Sequence, residues 1–272
     1  MSKSVVVTGA FDDLRSKDVR LLEEAARTGL VTVLLWPDET IRACSGSDLK
    51  FPLAERIYFL EAVRFVARVI PLRAPVRTDE LPVFDDFKPA VWVDEERQAN
   101  NQRRDFCRLQ GVEYRVLAAQ QLIGFPEPPP AQSPPGRKKV VVTGSYDWLH
   151  TGHVRFFQEV NEIGDLYVVV GHDANIRLLK GAGHPLQPQE ERRYMAGAIR
   201  YVTQVLISSG EGWLDAEPEV QKIKPDVYAV NEDGDRGGKR EFCAKIGIDY
   251  LVLKRAPAPG LPPRSSTDLR GF

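Results

Sequence analysis

The sequence repeats itself at an offset of about 135 residues, and a repeat of that length encodes one folding unit twice. Val5-Val6-Val7-Thr8-Gly9-Ala10-Phe11-Asp12 lies over Val140-Val141-Val142-Thr143-Gly144-Ser145-Tyr146-Asp147, with Thr8, Gly9 and Asp12 meeting their identical partners in one register. Ile41-Arg42 then meets Ile176-Arg177. After one residue of slippage Glu55-Arg56, Tyr58, Arg64 and Val66 lie over Glu191-Arg192, Tyr194, Arg200 and Val202. Lys88-Pro89, Phe106-Cys107, Gly111, Tyr114 and Val116-Leu117 meet Lys224-Pro225, Phe242-Cys243, Gly247, Tyr250 and Val252-Leu253. Agreement in one order along a whole half of the chain is not chance, so whatever fold is assigned must occur twice.

Between the copies, Phe125-Pro126-Glu127-Pro128-Pro129-Pro130 and Ser133-Pro134-Pro135-Gly136 make a semi-rigid spacer that joins neither sheet nor helix. The expected division is a domain over 1–124, a proline-rich linker over 125–137 and a domain over 138–272. Strand and helix signals alternate in each copy. Segments 140–142, 166–170, 205–207, 227–230 and 250–253 are short β-branched or aromatic runs, as strands buried on both faces of a parallel sheet require. Segments 154–163, 190–201 and 239–246 carry apolar residues at helical spacing. The alternation predicts an α/β protein of two tandem Rossmann-like domains, each a doubly wound parallel sheet that binds ligands beyond the C-terminal ends of its strands.

Charge narrows the partners. The 37 Lys and Arg against 38 Asp and Glu leave no basic field to hold nucleic acid or an anionic membrane, so a small molecule is expected. No apolar run approaches the ~20 residues of a membrane span, and no leader precedes the first strand signal, so a cytoplasmic location is expected. Cys44, Cys107 and Cys243 form no Cys-x-x-Cys pair and read as reduced, buried thiols rather than disulfide partners or metal ligands.

The first strand-to-helix turn of the second copy, residues 144–153, carries the chemistry. His150 and His153 stand three apart at a helix start, so they project from one face. The helix start adds unpaired N–H groups and partial positive charge, Gly152 allows close backbone approach, and together these favour a polyphosphate.

His150-Thr151-Gly152-His153 matches a His-x-Gly-His signature, and the second copy resembles the cytidylyltransferase-like nucleotidyltransferases over essentially its whole length. Gly144-Ser145-Tyr146-Asp147 resembles the Gly-x-Phe-Asp before that signature. Asp173 with Leu179-Lys180-Gly181 resembles the family's phosphate-gripping loop, and Glu191-Arg192 with Ile199-Arg200-Tyr201-Val202 resembles its Arg…Ile-Arg-Tyr-Val helix. Trp213 and Lys224-Pro225-Asp226-Val227 also take family-like positions. Arg264-Ser265-Ser266-Thr267 is similar to the C-terminal Arg and Ser/Thr run, although Pro263-Arg264 replaces a Gly-Ile, and either Arg255 or Arg264 fills the place of the family arginine.

The resemblance implies direct displacement: a substrate phosphate oxygen attacks the α-phosphorus of a nucleoside triphosphate, pyrophosphate leaves, and Mg²⁺ rides on the phosphates. It implies His150, His153 and Lys180 at the reacting phosphorus. It implies Gly144, Ser145, Tyr146, Asp147, Gly152, Asp173, Arg192, Asn231, Glu232, Asp233, Arg264, Ser265, Ser266 and Thr267 around the nucleotide, with 231–233 reading the base. Two tandem copies are similar to ethanolamine-phosphate cytidylyltransferases. The expected reaction therefore moves CMP from CTP to a phosphorylated small alcohol such as phosphoethanolamine or glycerol phosphate. The alternatives are a heptose-type sugar-phosphate adenylyltransferase using ATP and a nucleotide-sensing pseudoenzyme without turnover. A homodimer is compatible with each.

All four histidines fall in the second copy. Arg15, Ser16, Lys17 and Asp18 stand at 150–153, and Ser45 stands at Lys180. An aspartate in place of the second histidine repels a triphosphate, the more so as water is excluded, so the first copy is expected to be degenerate. The opening Val-Val-Val-Thr-Gly-Ala and the Tyr250…Lys254 spacing also suggest a short-chain dehydrogenase. The further glycines of a dinucleotide fingerprint are missing, however, and 250–254 reads as strand.

Overall fold

Both Val-Val-Val-Thr-Gly runs become the central strand of a parallel sheet, where residues branched on both faces can be buried completely. A computed structural model describes residues 2–46, 48–127 and 134–269, without the side chains of Ser45, Thr267 and Asp268. The chain divides into two units, Met1–Gly124 and Phe125–Phe272. The first contains β1 (Lys3–Gly9), α1 (Ser16–Ala26), β2 (Gly29–Leu35), α2 (Asp38–Ser45), α3 (Leu53–Ala62), β3 (Arg68–Pro71), β4 (Val91–Glu95), α4 (Asn101–Gln110) and β5 (Glu113–Leu117). The second contains β6 (Lys139–Gly144), α5 (Thr151–Ile163), β7 (Asp165–Val170), α6 (Asp173–Lys180), α7 (Gln189–Gly197), β8 (Val202–Ile207), α8 (Glu217–Ile223), β9 (Val227–Asn231), α9 (Lys239–Ile246), β10 (Asp249–Leu253) and α10 (Ser266–Leu269).

The strand orders are β3-β2-β1-β4-β5 and β8-β7-β6-β9-β10, the same doubly wound order in each unit. Val5 pairs with Val31 and Val91, and Val140 with Leu166 and Val227, all in parallel. The order reverses between β1 and β4 and again between β6 and β9, which opens a crevice beyond the strand ends at each point. Val141, Val169, Val220, Tyr228 and Phe242 fill one face of the second sheet, as Val6, Leu34, Trp92 and Cys107 do in the first.

Three devices hold the loops at these crevices, and each occurs twice. Phe11 and Tyr146 take left-handed backbone (φ 47° and 48°), and their rings fold back over Gly9 and Gly144. A Cβ on Gly144 would lie 2.9 Å from the Tyr146 ring, so only glycine fits. Asp147 Oδ1 accepts from the N–H groups of Leu186 (2.7 Å) and Gln187 (3.0 Å), as Asp12 accepts from Lys50 and Phe51.

The third device is a buried arginine. Fully buried Arg192 donates to the carbonyls of Gln187 (2.9 Å), Ser145 (2.7 Å) and Gly171 (2.8 Å) and to Asp173 Oδ1 (2.6 Å). Arg56 makes the same pattern with Phe51, Ala10, Trp36 and Asp38.

Some expectations change in detail. The helix expected over 190–201 stops at Gly197, because a tight turn with bonds from Ile199 to Ala196 and from Val202 to Ile199 buries both apolar side chains. Cys44 is exposed on the last turn of α2 rather than buried; Cys107 and Cys243 are buried, and burial pushes both thiols up to about 11. Of the proline-rich segment, Phe125 packs on Tyr194 (centroids 5.8 Å) and Glu127 pairs with Arg193 (3.2 Å), while 128–133 lie outside the described residues. Among the described residues no helix is long and apolar enough to cross a membrane.

Candidate active site

β6 delivers the chain to Gly144, the Tyr146 turn reverses it, and α5 begins at Thr151 with His150 as its N-cap. The backbone of His150 is extended (φ −143°, ψ 175°), and its Nδ1 accepts the Gly152 N–H at 3.1 Å. Since Nδ1 accepts, the neutral ring carries its proton on Nε2. Gly152 has a use the sequence did not suggest: a Cβ there would lie 2.9 Å from Cε1 and 3.0 Å from Nδ1 of His150. The glycine makes room for the imidazole as much as for any ligand.

His153 follows in the first turn. Its ring centroid lies 4.0 Å from that of His150 at 32°, and Tyr146 meets it edge-on at 5.3 Å. Its Nδ1 is buried with no hydrogen-bond partner among the described residues. Burial first, then the nearby His150, Arg255 and Lys180, hold His153 well below the ordinary 6.5, so the ring is neutral at physiological pH.

Both rings line a cleft of about 390 Å³ beyond the ends of β6 and β9, a size that suits a small ligand. Lys180 from the end of α6 donates to Ser145 Oγ at 2.7 Å. Arg255, just after β10, pairs with Asp233 at 2.5 Å and donates to the Arg264 carbonyl at 2.8 Å. Arg236 lies over the Trp213 ring at 5.7 Å. Lys239 donates to the Gly234 carbonyl at 3.2 Å, and burial lowers its pKa. Four cationic side chains (Lys180, Arg236, Lys239, Arg255) thus face two carboxylates (Asp215, Asp233), a balance that attracts an anion.

Residues 141–271 match the family model described as cytidylyltransferase-like. The FAD synthase of Pyrococcus abyssi is 43% identical over 122 residues, which span 43% of this chain and 80% of that protein. That of Ferroglobus placidus is 38% identical over 120 residues, spanning 43% and 75%. The chain belongs to the cytidylyltransferase-like family. It is a nucleotidyltransferase. The bifunctional protein HldE of Nitratiruptor is also similar, 37% identical over 120 residues, though these span only 25% of its length.

Within this cytidylyltransferase-like unit the structure gathers His150, His153, Lys180, Gly144, Ser145, Tyr146, Gly152, Asn231, Asp233, Ser265 and Ser266 around one cleft. Five other expected residues lie elsewhere. Asp147, Asp173 and Arg192 are committed to one another's loops, and Arg192, expected at the phosphates, has Nε and both Nη groups bonded inside the fold. Glu232 turns away to accept from the Arg255 N–H at 3.3 Å. Arg264 lines a neighbouring recess of about 20 Å³ and not the main cleft, whereas Arg255 lines both, and Arg236 joins it in the main cleft. The side chain of Thr267 lies outside the described residues. The expectation lacked Asn175, Asp215, Arg236 and Lys239, all of which line the cleft, and left Arg255, which also lines it, as an alternative to Arg264. A signal for two of them was present: Gly234-Asp235-Arg236-Gly237-Gly238-Lys239 is a glycine-rich loop after a strand at the switch point.

Proposed function

We propose that the second unit transfers an adenylyl group from ATP to a phosphate oxygen of a phosphorylated small molecule, releasing pyrophosphate. The carrying observation is the pair of stacked histidines at the start of α5, open to a cleft with four cations. The choice of ATP over the expected CTP rests on the relatives: a FAD synthase, by its name, builds a product with an adenine nucleotide in it. On this reading the acceptor's phosphate oxygen forms a bond to the α-phosphorus as the bond to the bridging oxygen breaks, and pyrophosphate carries that electron pair away. Nε2–H of His150, His153, the N-terminus of α5, Lys180 and Arg255 stabilise the charge on the phosphate oxygens.

Mg²⁺ suits a site of this kind when the triphosphate brings it. Among the described residues no three His, Cys, Asp or Glu side chains converge to cage a metal, and Mg²⁺ bound chiefly by phosphates needs only one or two carboxylates. Asp215 and Asp233 are the carboxylates lining the cleft. Bound there, the ion neutralises phosphate charge. The first unit, with the same strand order but Arg15, Lys17 and Asp18 in place of His150, Gly152 and His153, is on this reading a copy of the fold without the chemistry.

Pyrophosphate release from ATP and CTP, each with FMN, a sugar phosphate, glycerol phosphate and phosphoethanolamine, tests the assignment. ATP should be favoured by about tenfold or more in kcat/KM. A CTP preference overturns the adenylyl reading, and no release with any pair returns the chain to the pseudoenzyme reading.

Binding should also move a proton. A polyanion beside neutral His153 favours its charged form, so triphosphate binding raises that pKa toward its ordinary value. Near pH 6, calorimetry in buffers of different ionisation enthalpy should report proton uptake with ATP, absent in His153→Gln. The same enthalpy in every buffer would place the triphosphate away from His153.

A further inference from the structure

The first unit has a cleft of its own, of about 460 Å³, beyond the matching ends of β1 and β4. Thr8, Gly9, Ala10, Phe11, Lys17 and Asp18 line it, each about 135 residues ahead of a residue lining the nucleotide cleft. Its charge is reversed. Asp12, Asp13, Asp18 and Glu95 outnumber Lys17 and Arg103, and both cations are engaged. Lys17 pairs with Glu95, and Arg103 pairs with Asp94 (2.6 Å) and Asp79 (3.2 Å). Most of the acids are engaged too: Asp12 holds backbone N–H groups, and Asp13 pairs with Arg15 (2.6 Å) and Lys50 (3.1 Å).

Asp18 differs. It accepts the Arg15 N–H at 2.8 Å and forms no ion pair among the described residues. Burial, and after it the nearby Glu95 and Asp13, push its carboxyl up to about 6.

A second polar group in the same cleft lacks a partner. Thr8, only 9% exposed, has an Oγ1 that meets no hydrogen-bond partner among the described residues. Its counterpart Thr143 shares a 2.7 Å bond with the Tyr228 hydroxyl, but in the first unit Trp92 occupies the strand position of Tyr228 and has no oxygen to offer. A buried hydroxyl without a partner costs on the order of 1–3 kcal/mol, which a ligand that bonds it recovers.

We propose that this cleft binds a small organic ammonium compound, its cationic nitrogen at the Asp18 carboxylate and a second contact at the Thr8 hydroxyl. Leu21 and Trp36 supply apolar wall for its carbon skeleton. A phosphate is opposed by the sign of the lining. A bare metal ion lacks ligands, since among the described residues no three acidic, His or Cys side chains converge. A volume above that of the nucleotide cleft suits a molecule rather than an ion.

Calorimetry on the full chain with ethylamine, agmatine and choline, and separately with inorganic phosphate and ATP, tests this. At least one amine should bind at one per chain, ATP at one per chain, and phosphate not in this cleft. Asp18→Asn should weaken the amine at least tenfold. Lys17→Ala should tighten it several-fold by removing a competing cation and releasing Glu95. Neither variant should change turnover, and thermal denaturation checks that both fold. If Asp18→Asn does not fold, Thr8→Val takes its place with the same direction of change. No binding by any of the three amines, amine binding unaffected by Asp18→Asn, or a second ATP per chain overturns the proposal.

Discussion

Replacing His153 by alanine lowers turnover by about 10²-fold or more, the loss expected when one preorganised donor to a charged transition state is removed. The ring is stacked on His150 at 4.0 Å and met edge-on by Tyr146 at the surface of the cleft, so the alanine variant should keep its fold and most of its triphosphate affinity. His150 needs a finer test, because its Nδ1 also caps α5. Alanine removes both the cap, worth about 1 kcal/mol, and the imidazole. His150→Asn restores a capping oxygen without the ring, so it should recover stability and not turnover. Single-turnover rates alongside circular dichroism and ATP titration separate the two. Near-normal turnover in His153→Ala, or rescue of turnover by His150→Asn, removes the histidines from the chemistry.

Arg192→Met should destabilise the second unit by about 3–5 kcal/mol, enough to unfold it in many conditions. The substitution deprives Asp173 and the carbonyls of Gln187, Ser145 and Gly171 of their shared partner. Arg56→Met should do the same to the first unit, which lacks both histidines, since Arg56 ties Phe51, Ala10, Trp36 and Asp38 in the same way. Urea titrations followed by limited proteolysis assign each transition to its unit, because a chain of two units need not unfold in one step. Weakened ATP binding with unchanged stability in Arg192→Met would return that arginine to the phosphates.

His153 and Arg192 differ in how much of their placement the sequence makes legible. The turn over 144–153 was legible because its parts are contiguous: strand end, glycine, helix start and two histidines on one face. Arg192 was expected at the phosphates because a charge in a sequence is silent about burial, and only the fold reveals the three loop carbonyls and the carboxylate that compensate it. Arg236 and Lys239 were missed, and Arg255 was left level with Arg264, for another reason. They sit after β9 and β10, and their approach to α5 depends on β9 lying beside β6 rather than beside β8, which is a matter of strand order. The end of α7 at Gly197 was set by the burial of Ile199 and Val202, a tertiary demand that outweighs helical spacing. The nucleotide base was not legible at all, since no residue type in 231–233 distinguishes adenine from cytosine by itself.

The left-handed aromatic folded over its glycine is present in both units, at Gly9 and Phe11 and at Gly144 and Tyr146, although the histidines are present in one. The strained residue therefore belongs to the closing of the turn and would survive selection that had ceased to act on turnover. In a lineage of such duplicated chains, cleft charges and histidines should drift first, and the glycine, the aromatic two places on and the interior arginine last.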